Sequence, residues 1–213
     1  MTKKVIIFDF DGTIADTYDA FVDIINRLAG EFGYKPVSQS EIKRLRNLNS
    51  QEIIKQSAIS LFKVPALLRR AKREMNQEID NIQPISGIKP ALLTLQTQGK
   101  KLGIVTSNTQ DNVTRFLANH DLINVFDFVY SDTSIFGKHK ILNKLIKREN
   151  FLHDNIIYVG DETRDITAAK KSKIKVIAVS WGFNSPEILA KYNPDFLLEH
   201  PMELPQVITN FTS

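Results

Sequence analysis

Val5-Ile6-Ile7-Phe8-Asp9-Phe10-Asp11-Gly12-Thr13 places three β-branched residues and a phenylalanine directly before two aspartates and a glycine. Lys4 to Phe8 reads as a buried β-strand, and Gly12 with the polar residues after it reads as a turn. Asp9 and Asp11 therefore stand where strand gives way to loop, the usual ligand position in open α/β sheets. Asn155-Ile156-Ile157-Tyr158-Val159-Gly160 repeats the arrangement and runs into Asp161-Glu162-Thr163-Arg164-Asp165. In a parallel sheet both acid clusters lie past C-terminal strand ends and meet at one edge. Carboxylates converging without a counter-charge repel one another and lose hydration, so the pattern implies a cation. All-oxygen ligation favours a hard ion, Mg²⁺ rather than zinc, because the chain has no cysteine and only four histidines. His120, His139, His153 and His200 are scattered without ligand spacing and read as surface or interface residues.

Outward from these two stretches, residues 88 to 200 alternate between strand and helix patterns. Helical periodicity over Ile88 to Gln98 closes at Gly99, and Lys101 to Thr106 reads as a strand. A helix over Asn112 to Asn119, a short strand over Phe126 to Tyr130 and a turn over Asp132 to Gly137 follow, then a helix over Lys140 to Arg148. After the strand Ile156 to Val159 come a helix near Ile166 to Lys171, a strand over Val176 to Val179 and a helix capped by Ser185 with Pro186 in its first turn. Phe196 to Leu198 is the last short strand, and Ile208 to Ser213 reads as a frayed end. Strands separated by crossover helices predict an α/β fold with a Rossmann-like, mostly parallel sheet flanked by helices.

Residues 15 to 84 differ, because every apolar pattern there is helical. Phe21, Ile24, Ile25 and Leu28 form one stripe, Ile53, Ile54 and Ala58 another, and Leu67, Leu68, Ala71 and Met75 a third. Breaks fall at Gly33 to Ser40, Asn47 to Ser50 and Lys63 to Pro65. We therefore expect a helical cap domain over residues 15–84, inserted after the first strand into a catalytic core of residues 1–14 and 85–213. Starting beside the first acid pair, the insertion is placed to cover the site.

Composition removes whole classes of function. The absence of cysteine excludes disulfides and thiolate chemistry. No apolar run approaches the roughly 20 residues that span a bilayer, and the N-terminus carries no cleavable leader pattern, so a cytoplasmic chain with no membrane partner is expected. The formal charge of +4 is distributed over several helix faces. No aromatic interleaving or recognisable module accompanies it, so no nucleic-acid partner is expected, and a mild positive potential would instead steer a small anion.

With these residues in place, the chain resembles the haloacid dehalogenase-like phosphohydrolase superfamily over nearly its whole length. Four signatures occur in order: Asp9-Phe10-Asp11-Gly12-Thr13-Ile14-Ala15-Asp16-Thr17; the strand end Thr106-Ser107-Asn108; the lysine of Phe136-Gly137-Lys138; and Gly160-Asp161-Glu162-Thr163-Arg164-Asp165. The resemblance implies that Asp9 is the nucleophile forming an aspartyl phosphate and that Asp11 is the general acid and then base. It implies Mg²⁺ held by the Asp9 carboxylate, the Asp11 backbone carbonyl and Asp161, with Asp165 as a further ligand or anchor. It also implies phosphate contacts from Ser107, from backbone N–H groups near Gly12 and Asn108, and from Lys138, which would also tether the nucleophile. Lys140 competes with Lys138 for that role, since the family's frequent proline after the lysine is His139 here. Thr13 and Thr17 read as satisfying backbone groups near the helix start, and Trp181 as packing at the sheet edge.

Members with a compact helical cap act on small phosphorylated metabolites, and the whole pattern, including Val179-Ser180-Trp181-Gly182-Phe183, looks most like phosphoglycolate phosphatases. The expected reaction is hydrolysis of a small phosphomonoester such as 2-phosphoglycolate by a monomer or homodimer. Substrate contacts are expected from Tyr18, Arg44, Arg46 and Asn47. The alternatives are a β-phosphoglucomutase-type phosphotransferase, a nucleotidase or pyrophosphatase, and a non-enzymatic binding protein, against which the intact signature residues count.

Overall fold

Alternation along the first strand assigns the two faces of the sheet. The computed structural model describes residues 3–57, 59–131 and 137–211. Its strands are β1 (Val5–Phe8), β2 (Lys101–Thr106), β3 (Phe128–Ser131), β4 (Ile156–Gly160), β5 (Lys175–Val179) and β6 (Phe196–Leu198). All pairings are parallel, in the order β3-β2-β1-β4-β5-β6. Ile6 and Phe8 point to one face with Leu102, Ile104, Ile157, Val159 and Ile177, while Val5 and Ile7 point to the other with Val105, Ile156, Tyr158 and Val176. A strand apolar on both sides can only be central, which is why the Val5–Phe8 run lies mid-sheet. Phe8 pairs with Ile104 on one side and Val159 on the other, so the chain reverses its order beside Asp9. Such a switch point opens a crevice at the carboxyl ends of the strands.

The first four of the five helices between β1 and β2 form a separate group: α1 (Tyr18–Phe32), α2 (Gln39–Arg46), α3 (Ser50–Gln56) and α4 (Val64–Glu78), with an apolar cluster of its own built chiefly from α1 and α4. Ile24 and Leu28 of α1 meet Val64, Leu67, Ala71 and Met75 of α4, with Ile59 beside them. Ile24, Leu28, Leu67, Ala71 and Met75 belong to the predicted stripes, with Phe21, Ile25, Ile54 and Leu68 partly buried against them, while Ile59 and Val64 join from outside those stripes; Ala58 lies outside the described residues. Exposed ion pairs from Arg27 to Glu74 and Glu78 add little beside that burial. The chain enters and leaves this group side by side: Asp16 N–H donates to the Gln83 carbonyl at 2.9 Å, and Ile85 N–H to the Ile14 carbonyl at 2.9 Å.

The sheet is covered on both faces. On the first lie α5 (Ile88–Thr97) and α6 (Gln110–Asn119), contributing Leu92, Leu95, Val113 and Phe116. On the second lie α7 (Lys138–Arg148), α8 (Thr163–Lys171) and α9 (Pro186–Lys191), contributing Leu142, Leu145, Ile166 and Leu189. A last helix, α10 (Leu204–Asn210), corrects one expectation. Ile208 is fully buried in the first-face cluster, and Phe211 meets the Phe196 ring edge-on at 4.6 Å, so the terminus closes the core as far as residue 211. Strand β3 begins two residues later than expected because the Asp127 carboxylate accepts from Leu102 N–H at 2.8 Å and takes over the pairing there. Of the expected turn over Asp132 to Gly137, residues 132–136 lie outside the described residues. No helix among the described residues is long and apolar enough to cross a membrane.

Candidate active site

Register carries the acids together. Asp9 follows β1 directly and its N–H donates to the Val159 carbonyl at 2.9 Å, so it stands beside the end of β4, from which Asp161 emerges. The carboxylates of Asp9, Asp161 and Asp165 bring oxygens within 4.8 Å of one another, and all three residues are buried. Asp165 arrives from the first turn of α8, where its carboxylate accepts from Glu162 N–H at 3.1 Å as part of a reciprocal cap.

One cation stands among them. The Lys138 Nζ donates to Asp9 Oδ2 at 2.6 Å and to Asp165 Oδ1 at 2.5 Å. Lys138 occupies the first position of α7, next to Gly137 in the left-handed region, whereas Lys140 is exposed. Burial would depress the lysine, but Asp165 and Asp9 overcome it and hold the ammonium above its ordinary value. Burial pushes the Asp9 carboxyl up to about 7 against the pull of Lys138, with Asp165 pushing the same way. Asp161 is also raised well above its ordinary value, by burial first and then by Glu162, Asp165 and Asp9. Three buried carboxylates facing one ammonium leave an uncompensated anionic site of oxygen donors, which a hard divalent cation fits.

Asp161 is seated by groups that its own sequence neighbourhood does not reveal. The Thr13 hydroxyl donates to its Oδ1 at 2.8 Å, and Phe183 N–H donates to its Oδ2 at 2.7 Å. Thr13 therefore binds the second acid cluster, and not the backbone as expected. Gly12, at φ +72°, leaves room for this carboxylate: a β-carbon there would come within 2.3 Å of Asp161 Oδ2. Trp181 packs against the first-face cluster, as expected, and its indole N–H also donates to the Thr13 carbonyl at 3.2 Å, tying the 180–183 loop to the loop after β1.

Asp11 turns away from this triad. Its two carboxylate oxygens accept from the Asn108 amide at 3.0 and 3.2 Å. The Asn108 Oδ1 in turn accepts from Asn112 Nδ2 at 2.9 Å and Thr109 N–H at 2.8 Å. Burial raises the Asp11 carboxyl, and the Asn108 bond and the nearby Arg164 charge partly offset that. Ser107 sits at the end of β2 on the same edge, half-buried, with its carbonyl held by the Lys72 ammonium of α4 at 2.8 Å. Neither Asn112 nor Lys72 carries a signal in the linear sequence.

Of the four residues expected to contact substrate, Arg46, Tyr18 and Asn47 join the helical group to the core, and Arg44 bonds within the helical group. Arg46 donates to the carbonyls of Gly182 (2.7 Å), Ser180 (3.3 Å) and Phe183 (3.3 Å), and its guanidinium lies 5.3 Å from the Tyr18 ring centroid. Tyr18 packs edge-on against Phe183, the Asn47 Oδ1 accepts from the Ser185 hydroxyl at 2.6 Å, and Arg44 pairs with Gln56. These bonds clasp the end of α2 against the loop that seats Asp161.

The haloacid dehalogenase-like hydrolase family model matches residues 6–179. A phosphoglycolate phosphatase of Synechococcus elongatus is 36% identical over 206 residues, covering 97% of both chains. Pyrophosphatase PpaX of Listeria welshimeri is 26% identical over 220 residues, covering 98% of both. The crystal structure of a predicted phosphatase from Clostridium acetobutylicum superposes with a TM-score of 0.83 at 18% identity, over 99% of this chain and all of that one.

Proposed function

Because the chain belongs to the haloacid dehalogenase-like hydrolases and is a phosphatase, we propose that it hydrolyses a small phosphomonoester through an aspartyl phosphate on Asp9. The observation that carries this reading is the buried grouping of Asp9, Asp161 and Asp165 around the Lys138 ammonium at the carboxyl edge of the sheet.

Each residue has a task in this reading. Asp9 attacks phosphorus, and Lys138 holds its carboxylate in position while lowering the charge it presents to an anionic substrate. Asp11, oriented by Asn108, gives a proton to the departing oxygen and later takes one from water. The Ser107 hydroxyl and the backbone N–H groups of the loop after β1 receive the phosphoryl oxygens. Asp9, Asp161, Asp165 and the Asp11 carbonyl would hold Mg²⁺, which supplies charge neutralisation between nucleophile and phosphoryl group. Helices α1–α4 form the cap, clasped by Arg46 and Asn47, with the paired segments 14–16 and 83–85 as the hinge.

Phosphoglycolate and pyrophosphate, the compounds in the two relatives' names, share a feature: a second anionic group a few atoms from the phosphoryl group. We take this class as the substrate, with 2-phosphoglycolate first and pyrophosphate as the second reading supported by the 26% identical relative. A panel of phosphomonoesters with and without Mg²⁺ tests the proposal. Phosphate release should require Mg²⁺, and Asp9→Asn should lower kcat by about a thousandfold or more. Substantial turnover by that variant would remove Asp9 as nucleophile; conversion of β-glucose 1-phosphate to glucose 6-phosphate without free phosphate would favour a mutase.

A further inference from the structure

Arg164 belongs to the fourth signature, yet the tasks above leave it without one. It sits in the first turn of α8, one residue before Asp165. Its Nη2 lies 2.5 Å from Glu162 Oε1. The other Glu162 oxygen accepts from the Ser50 hydroxyl of α3 at 3.4 Å, so the guanidinium is held at the seam between the core and the helices above it. The Arg164 Nε is shut off from solvent without a hydrogen-bond partner among the described residues, while the side chain as a whole keeps 29% of its surface exposed. A buried guanidinium donor left unpaired carries a desolvation cost that an oxyanion reaching it would offset.

Arg164 leaves the first turn of α8 one residue before Asp165, whose carboxylate shares the Lys138 ammonium with Asp9, so its charge is anchored at the acid-lined edge. The other cations of this edge are committed elsewhere. Lys138 bridges Asp9 and Asp165, Arg46 is bound to three carbonyls, Lys72 holds the Ser107 carbonyl, and Arg44 pairs with Gln56. A phosphoryl group accompanied by a second anion brings more negative charge than Lys138 and a divalent ion can balance alone.

We propose that Arg164, held at one edge by Glu162, receives the second anionic group of the substrate, a carboxylate or a distal phosphate close to the phosphoryl group. The planar guanidinium offers two parallel N–H groups to such an oxyanion. This assignment rests on the phosphatase reading above and names the residue that selects the substrate class. Glu162 acts as the positioning residue, since it fixes the plane of the guanidinium.

The test compares 2-phosphoglycolate with p-nitrophenyl phosphate, which lacks a second anion, in the intact Mg²⁺-loaded protein and in Arg164→Gln. The ratio of kcat/KM for the two substrates should fall about tenfold or more, mainly through KM for 2-phosphoglycolate. In an Asp9→Asn background, calorimetry should show 2-phosphoglycolate binding weakened by Arg164→Gln about tenfold more than binding of inorganic phosphate. Arg164→Lys keeps the charge without the fork and carries the same comparison if the neutral variant does not fold; its ratio should fall by a smaller factor. An unchanged ratio in whichever variant folds, whether both activities drop together or neither moves, overturns the proposal. A wild-type protein that hydrolyses p-nitrophenyl phosphate with no preference for doubly anionic substrates also overturns it. Failure of the wild type to release phosphate from any ester would instead defeat the phosphatase reading.

Discussion

Asn112 touches none of the strand-end acids, yet it decides which end of the Asn108 amide faces Asp11. With Asn112 Nδ2 and Thr109 N–H both donating to the Asn108 oxygen, the amide nitrogen has to point at the Asp11 carboxylate. Asn112 is fully buried, so the orientation is not contested by water. Asn112→Ala removes one of the two donors and should lower kcat about three- to tenfold with KM nearly unchanged, the range expected for one hydrogen bond. Asn112→Asp goes further, because an acceptor at that position draws the amide nitrogen away from Asp11. Steady-state kinetics on both variants check this, and a kcat at the wild-type level in both would remove Asn112 from the site's support. Asp9, Asp11 and Asp161 were legible in the sequence because each follows an apolar strand within a few residues, and Lys138 through the family resemblance and the glycine before it. Asn112 and Arg164 were not, since their meaning depends on which residues a helix turn brings them against.

At the scale of elements, unbroken apolar runs marked the strands, and three apolar stripes marked helices of the inserted group. The terminal helix α10 escaped notice because a helix of one or two turns carries too few apolar positions for its period to show. Its packing is nonetheless complete: Leu204 and Ile208 have no exposed surface and lie among Leu92, Leu95 and Ile177 in the first-face cluster. Ile208→Ala should therefore cost about 2–4 kcal/mol, as for other large-to-small changes at fully buried sites. Chemical denaturation gives this directly as a lower midpoint at constant slope, and an unchanged midpoint would mean that the end is frayed in solution. Helix α2 carried no apolar stripe in the sequence and has no buried residue in the fold, and it holds its place through Arg46 and Asn47 at its end.

At the scale of the molecule, the fold pays for its anionic centre. In the metal-free protein, burial holds the Asp9 carboxyl at about 7 and raises Asp161 well above the ordinary carboxylate range. An acid raised in the folded state stays protonated at a pH where the unfolded chain has already ionised, so its contribution to stability is present below the ordinary carboxylate range. That contribution is lost as pH climbs through the folded value. The metal-free protein should therefore lose thermal stability as pH rises from about 5 to about 8. Mg²⁺ acts in the opposite sense, because it binds only the ionised acids and stabilises the fold in proportion to its occupancy. The gain in Tm on adding Mg²⁺ should accordingly be small near pH 6 and several degrees larger near pH 8, on the order of the shift expected for 1–2 kcal/mol. Calorimetric scans of the protein with chelator and with excess Mg²⁺ at the two pH values measure both effects together. Equal Mg²⁺ gains at the two pH values would mean that the triad is not what the ion binds, because no buried carboxylate would then be exchanging its proton for the metal.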